Sequence, residues 1–314
     1  MRSFSAVFPE LGFFSLQGVG EYSDLFKRMP DLKMTFLKCT SEKGNNFSYT
    51  ISGTQTDFFL PMFPVGKWVE WKFTSRWDPK IRVHDICFDL PLQAEAEHYE
   101  ALAQCFEMLV STAGGSRLLQ RALEVDTPRQ ENKELLLDAM RGKVWMMSMS
   151  PHGNHVVQKC IATFLPHKLQ FIINTFKERV VKASCDRMQS RVVERLIEYC
   201  PPQQMTLLLK EALDHAPQLL THTYGNFVMQ SLLVHGADEH RSTLVTKMSL
   251  EILRFSRNKI SKIVVCKAMW YSSMADKLSL FNAICVNLTN LGGHKKGKMV
   301  IEEMRCILQY LLSK

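Results

Sequence analysis

The chain lacks the short motifs that mark most enzyme and metal sites. Its nine cysteines include no C-x-x-C pair and its ten histidines are dispersed, so the ligand spacing of a zinc site is missing. No H-E-x-x-H or G-x-S-x-G motif occurs, and the glycines at 114 and 115 are not followed by the lysine of a phosphate-binding loop. We therefore predict a protein that is not an enzyme and that holds no metal or cofactor.

Long apolar runs are also missing. No such run approaches the length needed to cross a bilayer, and Pro9 and Glu10 interrupt the apolar start of the chain, which argues against a cleaved signal peptide. An odd number of cysteines without metal-ligand spacing favours reduced thiols inside the cell. We expect Cys160, Cys200 and Cys285 to lie in the core.

What the chain does have is apolar residues and positive charge. Apolar residues make up 46% of the sequence, which is enough for a packed structure. The formal net charge is +8 and the isoelectric point is near 9.0, which point to an anionic partner, most commonly a nucleic acid.

Six segments of the sequence repeat at a nearly constant spacing. They begin at Ser116, Asn154, Ser190, Asn226, Lys262 and Lys298, and successive starts differ by 38, 36, 36, 36 and 36 residues. Each segment has apolar residues at its third, fourth, seventh and usually eighth positions, which is the spacing of a helix with one buried face. The sixth segment departs from the pattern at its eighth position, which is Arg305.

A second helical pattern lies between the segments, for example over residues 169–181, 205–213 and 243–255. The glycines at 115, 153, 225 and 297, just ahead of four segments, suit tight helix–helix connections. We therefore predict a helical hairpin of roughly 36 residues, stacked into an α-solenoid because one unit cannot bury its apolar face alone.

The polar residues of the segments also recur at fixed positions. The first and fifth residues lie four apart and are neighbours on one helix face, with the second residue beside them. In the first four segments these residues are Ser116, Arg117 and Gln120; Asn154, His155 and Gln158; Ser190, Arg191 and Glu194; and Asn226, Phe227 and Gln230. A small or amide residue is followed each time by a planar or aromatic side chain and then by Gln or Glu.

These segments resemble the recognition helices of the PUF (Pumilio) family, above all Gly153-Asn-His-Val-Val-Gln-Lys-Cys and Tyr224-Gly-Asn-Phe-Val-Met-Gln. The resemblance covers residues 96–314 and is most specific over the first four repeats. It implies an all-α fold, a curved right-handed solenoid of about six repeats. It also implies that single-stranded RNA binds on the concave face, one base per repeat, with two side chains on the base edge and a third stacking between bases.

The residue types at these positions can form the hydrogen bonds and stacking contacts that recognition of single bases requires. The amides of Asn154 and Gln158 can match the donor and acceptors of uracil, and the Glu194 carboxylate can accept both N–H groups of guanine. A single Gln120 matches adenine, and the small Ser116 leaves room for the purine. Arg117, His155, Arg191 and Phe227 are the candidate stacking residues.

The family's pairing code assigns A, U, G and U to the first four repeats in chain order. Because PUF proteins run antiparallel to their RNA, the resemblance implies a 5′-UGUA-3′ core. The base-edge residues are then Ser116, Gln120, Asn154, Gln158, Ser190, Glu194, Asn226 and Gln230.

The fifth and sixth segments carry no base-reading pair. Their first, second and fifth residues are Lys262, Ile263 and Cys266, and Lys298, Met299 and Glu302. Two interpretations stay open. Lys262 and Lys298, with Lys295 and Lys296, contact phosphates 5′ of the core, or these repeats are a structural cap.

Residues 1–95 show neither the repeat nor the resemblance. They contain Trp68, Trp71 and Trp77, and a partly alternating run over residues 67–73 hints at strands. A small separate domain, degenerate repeats and a poorly ordered extension are all compatible with this composition. We therefore divide the chain into an N-terminal segment of unassigned fold, 1–95, and a repeat domain, 96–314.

The function expected from the resemblance is binding of UGUA-containing mRNA and post-transcriptional control of it, through repression, decay or localisation. We expect a cytoplasmic monomer that recruits regulatory protein partners and does not bind membranes. One alternative is a nucleolar PUF-like factor of ribosome biogenesis that binds structured RNA with little base code. Another is a protein-binding α-solenoid without RNA specificity.

Overall fold

In the computed structural model of the chain, the described residues are 4–8, 12–16, 25, 28–29, 33–41, 46–52, 70–72, 81–89, 96–125 and 130–313. For the strands before residue 90 and for residue 130 the description covers the backbone alone. The chain forms two compact units, Met1–Thr163 and Phe164–Lys314.

The first unit contains β-strands ahead of the helices of its repeats. They are β1 (Phe4–Phe8), β2 (Gly12–Leu16), β3 (Lys33–Ser41), β4 (Asn46–Ser52), β5 (Glu70–Lys72) and β6 (Ile81–Asp89). β1 pairs with β2, and the other four form an antiparallel sheet in the order β5-β4-β3-β6. The pairing of β3 is irregular near Phe36, where its register shifts against both neighbours.

The strand β5 covers part of the alternating run at 67–73, including the backbone of Trp71. Trp68 and Trp77 lie outside the described residues. A domain boundary at residue 95 stays a prediction, although the helices of the repeats begin at the next residue, Ala96.

The first unit also holds two repeats. Repeat 1 consists of α1 (Ala96–Gln104), α2 (Phe106–Ser111) and α3 (Ala113–Glu124), and repeat 2 of α4 (Gln130–Ala139), α5 (Val144–Met149) and α6 (Gly153–Thr163). The helices α3 and α6, which contain the first and second sequence segments, contact each other, as do α1 and α4. The buried hydroxyl of Tyr99 in α1 donates to the carbonyl oxygen of Ala122 in α3 at 2.8 Å.

The second unit holds the other four repeats. Repeat 3 consists of a 3-10 turn (Pro166–Leu169), α7 (Gln170–Phe176), α8 (Val180–Ser184) and α9 (Gln189–Tyr199), and repeat 4 of a 3-10 turn (Pro202–Met205), α10 (Thr206–Asp214), α11 (Ala216–Thr221) and α12 (Gly225–His235). Repeat 5 consists of α13 (Asp238–Leu250), α14 (Ile252–Arg257) and α15 (Ser261–Tyr271), and repeat 6 of α16 (Met274–Val286), α17 (Leu288–Gly292) and α18 (Lys295–Leu312). The segment helices α9, α12, α15 and α18 pack one against the next.

The predicted hairpin is wrong in one respect, because each repeat has three helices and not two. A short helix begins at residues 106, 144, 180, 216, 252 and 288, with the same spacing as the segments. The patterns at 169–181 and 243–255 therefore span two helices each, whereas 205–213 matches α10. Between α7 and α8 the chain turns at Glu178, whose φ of 61° lies in the left-handed region.

The glycines ahead of the segments serve close packing and not a turn. Gly115 is already inside α3, where a Cβ would lie 2.4 Å from the carbonyl oxygen of Leu109 in α2. A Cβ at Gly297 would lie equally close, at 2.4 Å, to the carbonyl oxygen of Leu291 in α17. These distances exclude any side chain, so glycine lets the short helix approach the segment helix.

The predicted apolar stripe is buried in every repeat. Its third, fourth and seventh residues are Leu118, Leu119 and Ala122; Val156, Val157 and Cys160; Val192, Val193 and Leu196; Val228, Met229 and Leu232; Val264, Val265 and Ala268; and Val300, Ile301 and Met304. Arg305, the exception in the eighth position, is exposed. Burial of each such Val or Leu contributes roughly 1.5–3 kcal/mol, so this stripe specifies the all-α repeat array that the sequence predicted.

Two of the three cysteines expected in the core lie there. Cys160 and Cys200 are buried, and burial raises the pKa of both thiols. The prediction for Cys285 is wrong, because this side chain is exposed near the end of α16. The apolar spacing around it fits a helix, but α16 turns this position to solvent.

Two kinds of feature are not found among the described residues. No helix there combines the length and the apolar character needed to cross a membrane. Nor does that part of the chain hold a group of three or more His, Cys, Asp or Glu side chains arranged to bind a metal ion.

Candidate nucleic-acid interface

A side chain caps the start of each segment helix in the first five repeats. The capping residues are Thr112, Ser150, Asp186, His222 and Asn258, each of which accepts a hydrogen bond from the backbone N–H three residues later. In repeat 6 the Nδ1 atom of His294 accepts from the backbone N–H of Lys296. A cap fixes where a helix begins, so the first, second and fifth segment positions recur on equivalent turns.

Burial differs consistently between these positions. In repeats 1–4 the first residue is buried and the fifth is half-buried. The second residue is exposed in repeats 2–4, at His155, Arg191 and Phe227, and half-buried in repeat 1, at Arg117. Each of these repeats therefore presents the fifth side chain from a partly buried position, and in repeats 2–4 the second side chain lies beside it in solvent.

In repeats 2 and 4 the predicted amide pairs are in direct contact. The Nε2 atom of Gln158 donates to Oδ1 of Asn154 at 2.8 Å, and that of Gln230 donates to Oδ1 of Asn226 at 2.9 Å. Both asparagines also donate to the backbone carbonyl of the capping residue four positions earlier, at 2.7 and 2.9 Å. The buried asparagine thus anchors the glutamine, and the glutamine presents the amide edge.

Repeat 1 builds a similar arrangement with serine. The hydroxyl of Ser116 donates to the carbonyl oxygen of His152, 2.8 Å away in repeat 2. The Nε2 atom of Gln120 lies 3.1 Å from the carbonyl oxygen and 3.2 Å from Oγ of Ser116. Gln120 is therefore held at its amino end, as the glutamines of repeats 2 and 4 are.

Repeat 3 differs, because its fifth residue is a carboxylate that pairs with its own second residue. The guanidinium of Arg191 donates to Glu194 at 3.1 Å and also lies 4.9 Å from the centre of the Phe227 ring in repeat 4. Ser190 donates instead to the carbonyl oxygen of Arg187 at 3.4 Å. Burial raises the pKa of the Glu194 carboxyl, and the nearby Arg191 partly offsets this.

The fifth and sixth repeats present a different surface at the same positions. Lys262 is half-buried, and its ammonium group lies 2.9 Å from the sulfur of Met299, a weak acceptor. Lys298 and Glu302 are exposed. Burial raises the pKa of Cys266 to about 11, with the charge of Glu303 as a second cause, so this thiol stays protonated.

Three exposed aromatic residues of these repeats were missed by the sequence analysis. Trp270 and Tyr271 end α15, and Tyr310 lies near the end of α18. Their positions in the sequence could have indicated them. Trp270 follows Lys262 by eight residues, which is about two turns farther along the same face of the segment helix.

The structure therefore brings together the predicted pairs of repeats 1, 2 and 4, and in repeats 3 and 4 Arg191 contacts both Glu194 and Phe227. It does not bond Ser190 to Glu194. The chemistry differs by repeat: repeats 1, 2 and 4 present amide edges, and repeat 3 presents a carboxylate paired with a guanidinium that also lies on an aromatic ring. The assignment of these groups to bases stays a prediction.

Two known protein families match residues of the repeat region. A family described as the Pumilio-family RNA binding repeat matches residues 114–136 and 143–174, and a NOP9-like PUF repeat domain matches residues 178–247. Together these matches cover repeats 1 to 5 in part, with only the start of repeat 5, and none of repeat 6.

Among curated proteins, a Pumilio domain-containing protein of Schizosaccharomyces pombe is 28% identical over 171 residues, which are 54% of this chain and 25% of that protein. The suppressor protein MPT5 of Saccharomyces cerevisiae is 30% identical over 122 residues, 36% of this chain and 14% of that protein. This chain thus matches a quarter or less of the length of either relative.

Solved structures extend the likeness to the fold. PUF-8 in complex with PBE-RNA superposes with a TM-score of 0.64 at 26% identity, covering 67% of this chain and 63% of that one. A Puf4 mutant bound to a Cox17 RNA 3′ UTR recognition sequence gives a TM-score of 0.61 at 21% identity, covering 69% and 76%. The second likeness is one of fold. Both neighbours confirm the predicted class, an α-solenoid of PUF repeats.

Proposed function

The chain is a member of the PUF (Pumilio) family, and from this premise we propose that its repeats bind single-stranded RNA and read a 5′-UGUA-3′ core. The observation that carries the proposal is the supported fifth residue of repeats 1 to 4. In repeats 1, 2 and 4 the glutamine at the fifth position is held by the first residue of its own segment. In repeat 3 a half-buried glutamate, Glu194, occupies the fifth position.

The supported groups match the bases assigned to them. A glutamine tied through one N–H keeps its carbonyl oxygen and its second N–H for a base, which suits the donor and acceptor edges of uracil and adenine. The Glu194 carboxylate offers two acceptors to the N1–H and N2–H groups of guanine. Read antiparallel to the chain, repeats 4 to 1 give U, G, U and A.

Stacking completes the proposed contact. A base next to Phe227 would take the place of the Arg191 guanidinium on that ring, and Arg191 would then cover the other face of the base. Arg191 and Glu194 are therefore paired in the absence of RNA. The pair separates when guanine donates two hydrogen bonds to the carboxylate.

We propose further that the chain controls UGUA-containing mRNA after transcription, in the cytoplasm, with recruited protein partners and without catalysis of its own. This rests on the family and on the base assignment. The nucleolar alternative, structured RNA bound with little base code, is kept open by the NOP9-like match at residues 178–247.

The test is fluorescence anisotropy at near-physiological salt with a short RNA that contains UGUA and with the same RNA carrying UCUA. We expect a preference of tenfold or more for UGUA, because cytosine cannot supply the two donors that Glu194 accepts. Equal binding of both RNAs would favour structured-RNA binding. No binding of either would favour a protein-binding solenoid.

A further inference from the structure

The net positive charge of the chain lies mostly in its last two repeats. Residues 238–314, which form repeats 5 and 6, contain thirteen Lys and Arg and six Asp and Glu, which gives +7 of the formal net charge of +8. Residues 96–237 contain fifteen Lys and Arg and fourteen Asp and Glu, and residues 1–95 contain eleven of each sign. An even spread of charge would be the expectation if it served solubility alone.

The lysines of repeats 5 and 6 also lack acidic partners. In repeats 1–4, Lys and Arg side chains form ion pairs in Arg141–Asp138, Lys143–Glu107, Lys159–Glu124, Arg191–Glu194 and Arg195–Glu198, and in repeat 5 two arginines pair in Arg241–Asp238 and Arg254–Glu251. Within the described residues, none of the lysines at 259, 262, 267, 295, 296 and 298 has such a partner. Their charge is therefore not neutralised locally and attracts an anion from solvent.

Folding does not account for this arrangement. Three of the lysines lie in the first turn of α18, at 295, 296 and 298. The helix dipole disfavours cations at that end, typically by 0.3–1 kcal/mol each. A structural cap would place acidic residues there, so the lysines are better explained by an anionic ligand than by the end of a solenoid.

Exposed aromatic rings lie toward the ends of the two segment helices that carry Lys262, Lys267 and Lys298. Trp270, Tyr271 and Tyr310 are 42%, 46% and 45% exposed. The rings of Trp270 and Tyr310 are 5.8 Å apart and tilted by 57°, and the indole N–H of Trp270 donates to Glu303 at 2.6 Å. The ammonium group of Lys267 lies 5.8 Å from the centre of the Tyr271 ring. The rings are thus fixed in place while much of their surface faces solvent.

We propose that repeats 5 and 6 form a second RNA site, the flank site, defined by Lys262, Lys267, Lys298, Trp270, Tyr271 and Tyr310. It binds nucleotides outside the core, with phosphates on the lysines and an unpaired base on the aromatic cluster. Alternating positive charge and exposed rings is the composition of surfaces that hold single strands without reading base edges. An apolar protein segment would satisfy the rings and leave the lysines unmatched.

The flank site rests on the proposed function for its position on the RNA. Because the core is read antiparallel by repeats 4 to 1, the later repeats 5 and 6 meet nucleotides on the 5′ side. The site has no paired amides or supported carboxylate, since its fifth positions are Cys266 and the exposed Glu302. It therefore adds affinity for length of RNA and not for sequence.

The experiment compares three RNAs by fluorescence anisotropy: a core RNA that begins with UGUA, the same RNA extended by five adenosines at its 5′ end, and the same RNA extended by five at its 3′ end. We expect the 5′ extension to raise the affinity about tenfold, as stacking of one base does, and the 3′ extension to add little. Trp270→Ala should remove most of this gain and leave binding of the core RNA unchanged.

The matched charge variants are Lys298→Gln in the flank site and Lys277→Gln on α16, outside it. The first should reduce the gain and its dependence on salt, and the second should leave both unchanged. A 5′ extension without effect, or a Trp270→Ala variant with the full gain, would overturn the flank site, and the face would then suit a protein partner.

The two proposals fail separately. If the unaltered chain does not distinguish UGUA from UCUA, the proposed function fails. Oligoadenosine of fifteen nucleotides then tests the flank site alone, because its affinity must still fall in Trp270→Ala, whose folding is checked by circular dichroism.

Discussion

Repeats 1–4 and repeats 5–6 share one scaffold and present two surfaces. Both groups have a short packing helix, a segment helix that follows it and a buried stripe at the third, fourth and seventh positions. In the first group the fifth positions carry supported amides and a carboxylate, and residues 96–237 contain fifteen Lys and Arg against fourteen Asp and Glu. In the second the first, second and fifth positions carry lysine, apolar residues, cysteine and glutamate, with unpaired charge. The stripe that stacks the repeats is thus independent of the face that meets a ligand.

The largest expected effect is a change of base preference by Glu194→Gln. Repeat 3 would then carry Ser190 with Gln, the combination in repeat 1, so the preferred core should move from UGUA to UAUA. We expect a shift of about 1–3 kcal/mol at that base, borrowed from bidentate contacts with DNA bases. Anisotropy with both RNAs measures it.

The matched control is Glu302→Gln, the same change at the same segment position in repeat 6. Glu302 is exposed and belongs to the group without base-reading pairs, so this variant should leave the preference for UGUA intact. Retention of the guanine preference by Glu194→Gln would show that the assignment in repeat 3 is wrong.

A second prediction compares the second residue of the segment in repeat 4 with the second residue of the segment in repeat 5. Phe227→Ala should weaken binding of the UGUA core by about 1–3 kcal/mol with little change in base preference, because a stacking surface is removed and base edges are untouched. Ile263→Ala, at the equivalent place in repeat 5, should not change binding of the short core RNA. An equal weakening in both variants would remove the distinction between the two groups of repeats.

A third expected effect is uniform across sequences. The double variant Lys262→Gln and Lys298→Gln should weaken binding of a long RNA similarly whether it carries UGUA or UCUA. The slope of log affinity against log salt should fall by about 0.7 for each phosphate that a lysine no longer neutralises. Lys159→Gln, which removes a lysine paired with Glu124, should change that slope less.

The smallest effect concerns pH. Burial raises the pKa of Glu194 above its ordinary value, so as pH falls this carboxyl gains a proton before exposed glutamates do. A protonated carboxyl has one donor and one acceptor, as glutamine has, so the preference for UGUA over UAUA should be full at higher pH and weaken on acidification. Titration of both affinities tests this, and Glu194→Gln should show no such trend.

Much of the fold was predictable because it depends on periodicity. The apolar positions of six segments recur along the chain, and the residues at those positions are buried. The short helix between the two predicted helices was not found, because its buried residues continue the same apolar spacing. The break depends on backbone conformation, as at Glu178, which the pattern of apolar residues does not report.

The contacts of the site within one helix were also predictable from the sequence, whereas its contacts between repeats were not. Side chains four apart on a helix meet, so the Asn154–Gln158 and Asn226–Gln230 contacts follow from local sequence. The contact of Arg191 with Phe227 joins residues 36 positions apart in neighbouring repeats, and spacing along one helix does not reveal it. The same holds for Trp270 with Glu303 and Tyr310.

The sequence by itself determined the repeat length, the buried stripe, the polar trio of each reading helix and the place of the net charge, because each is a property of order along the chain. The tertiary structure decided which of those charges are neutralised and which aromatic rings stay exposed. Ion pairs such as Lys159–Glu124 form across the interface between repeats, so only the packing of one repeat on the next settles them.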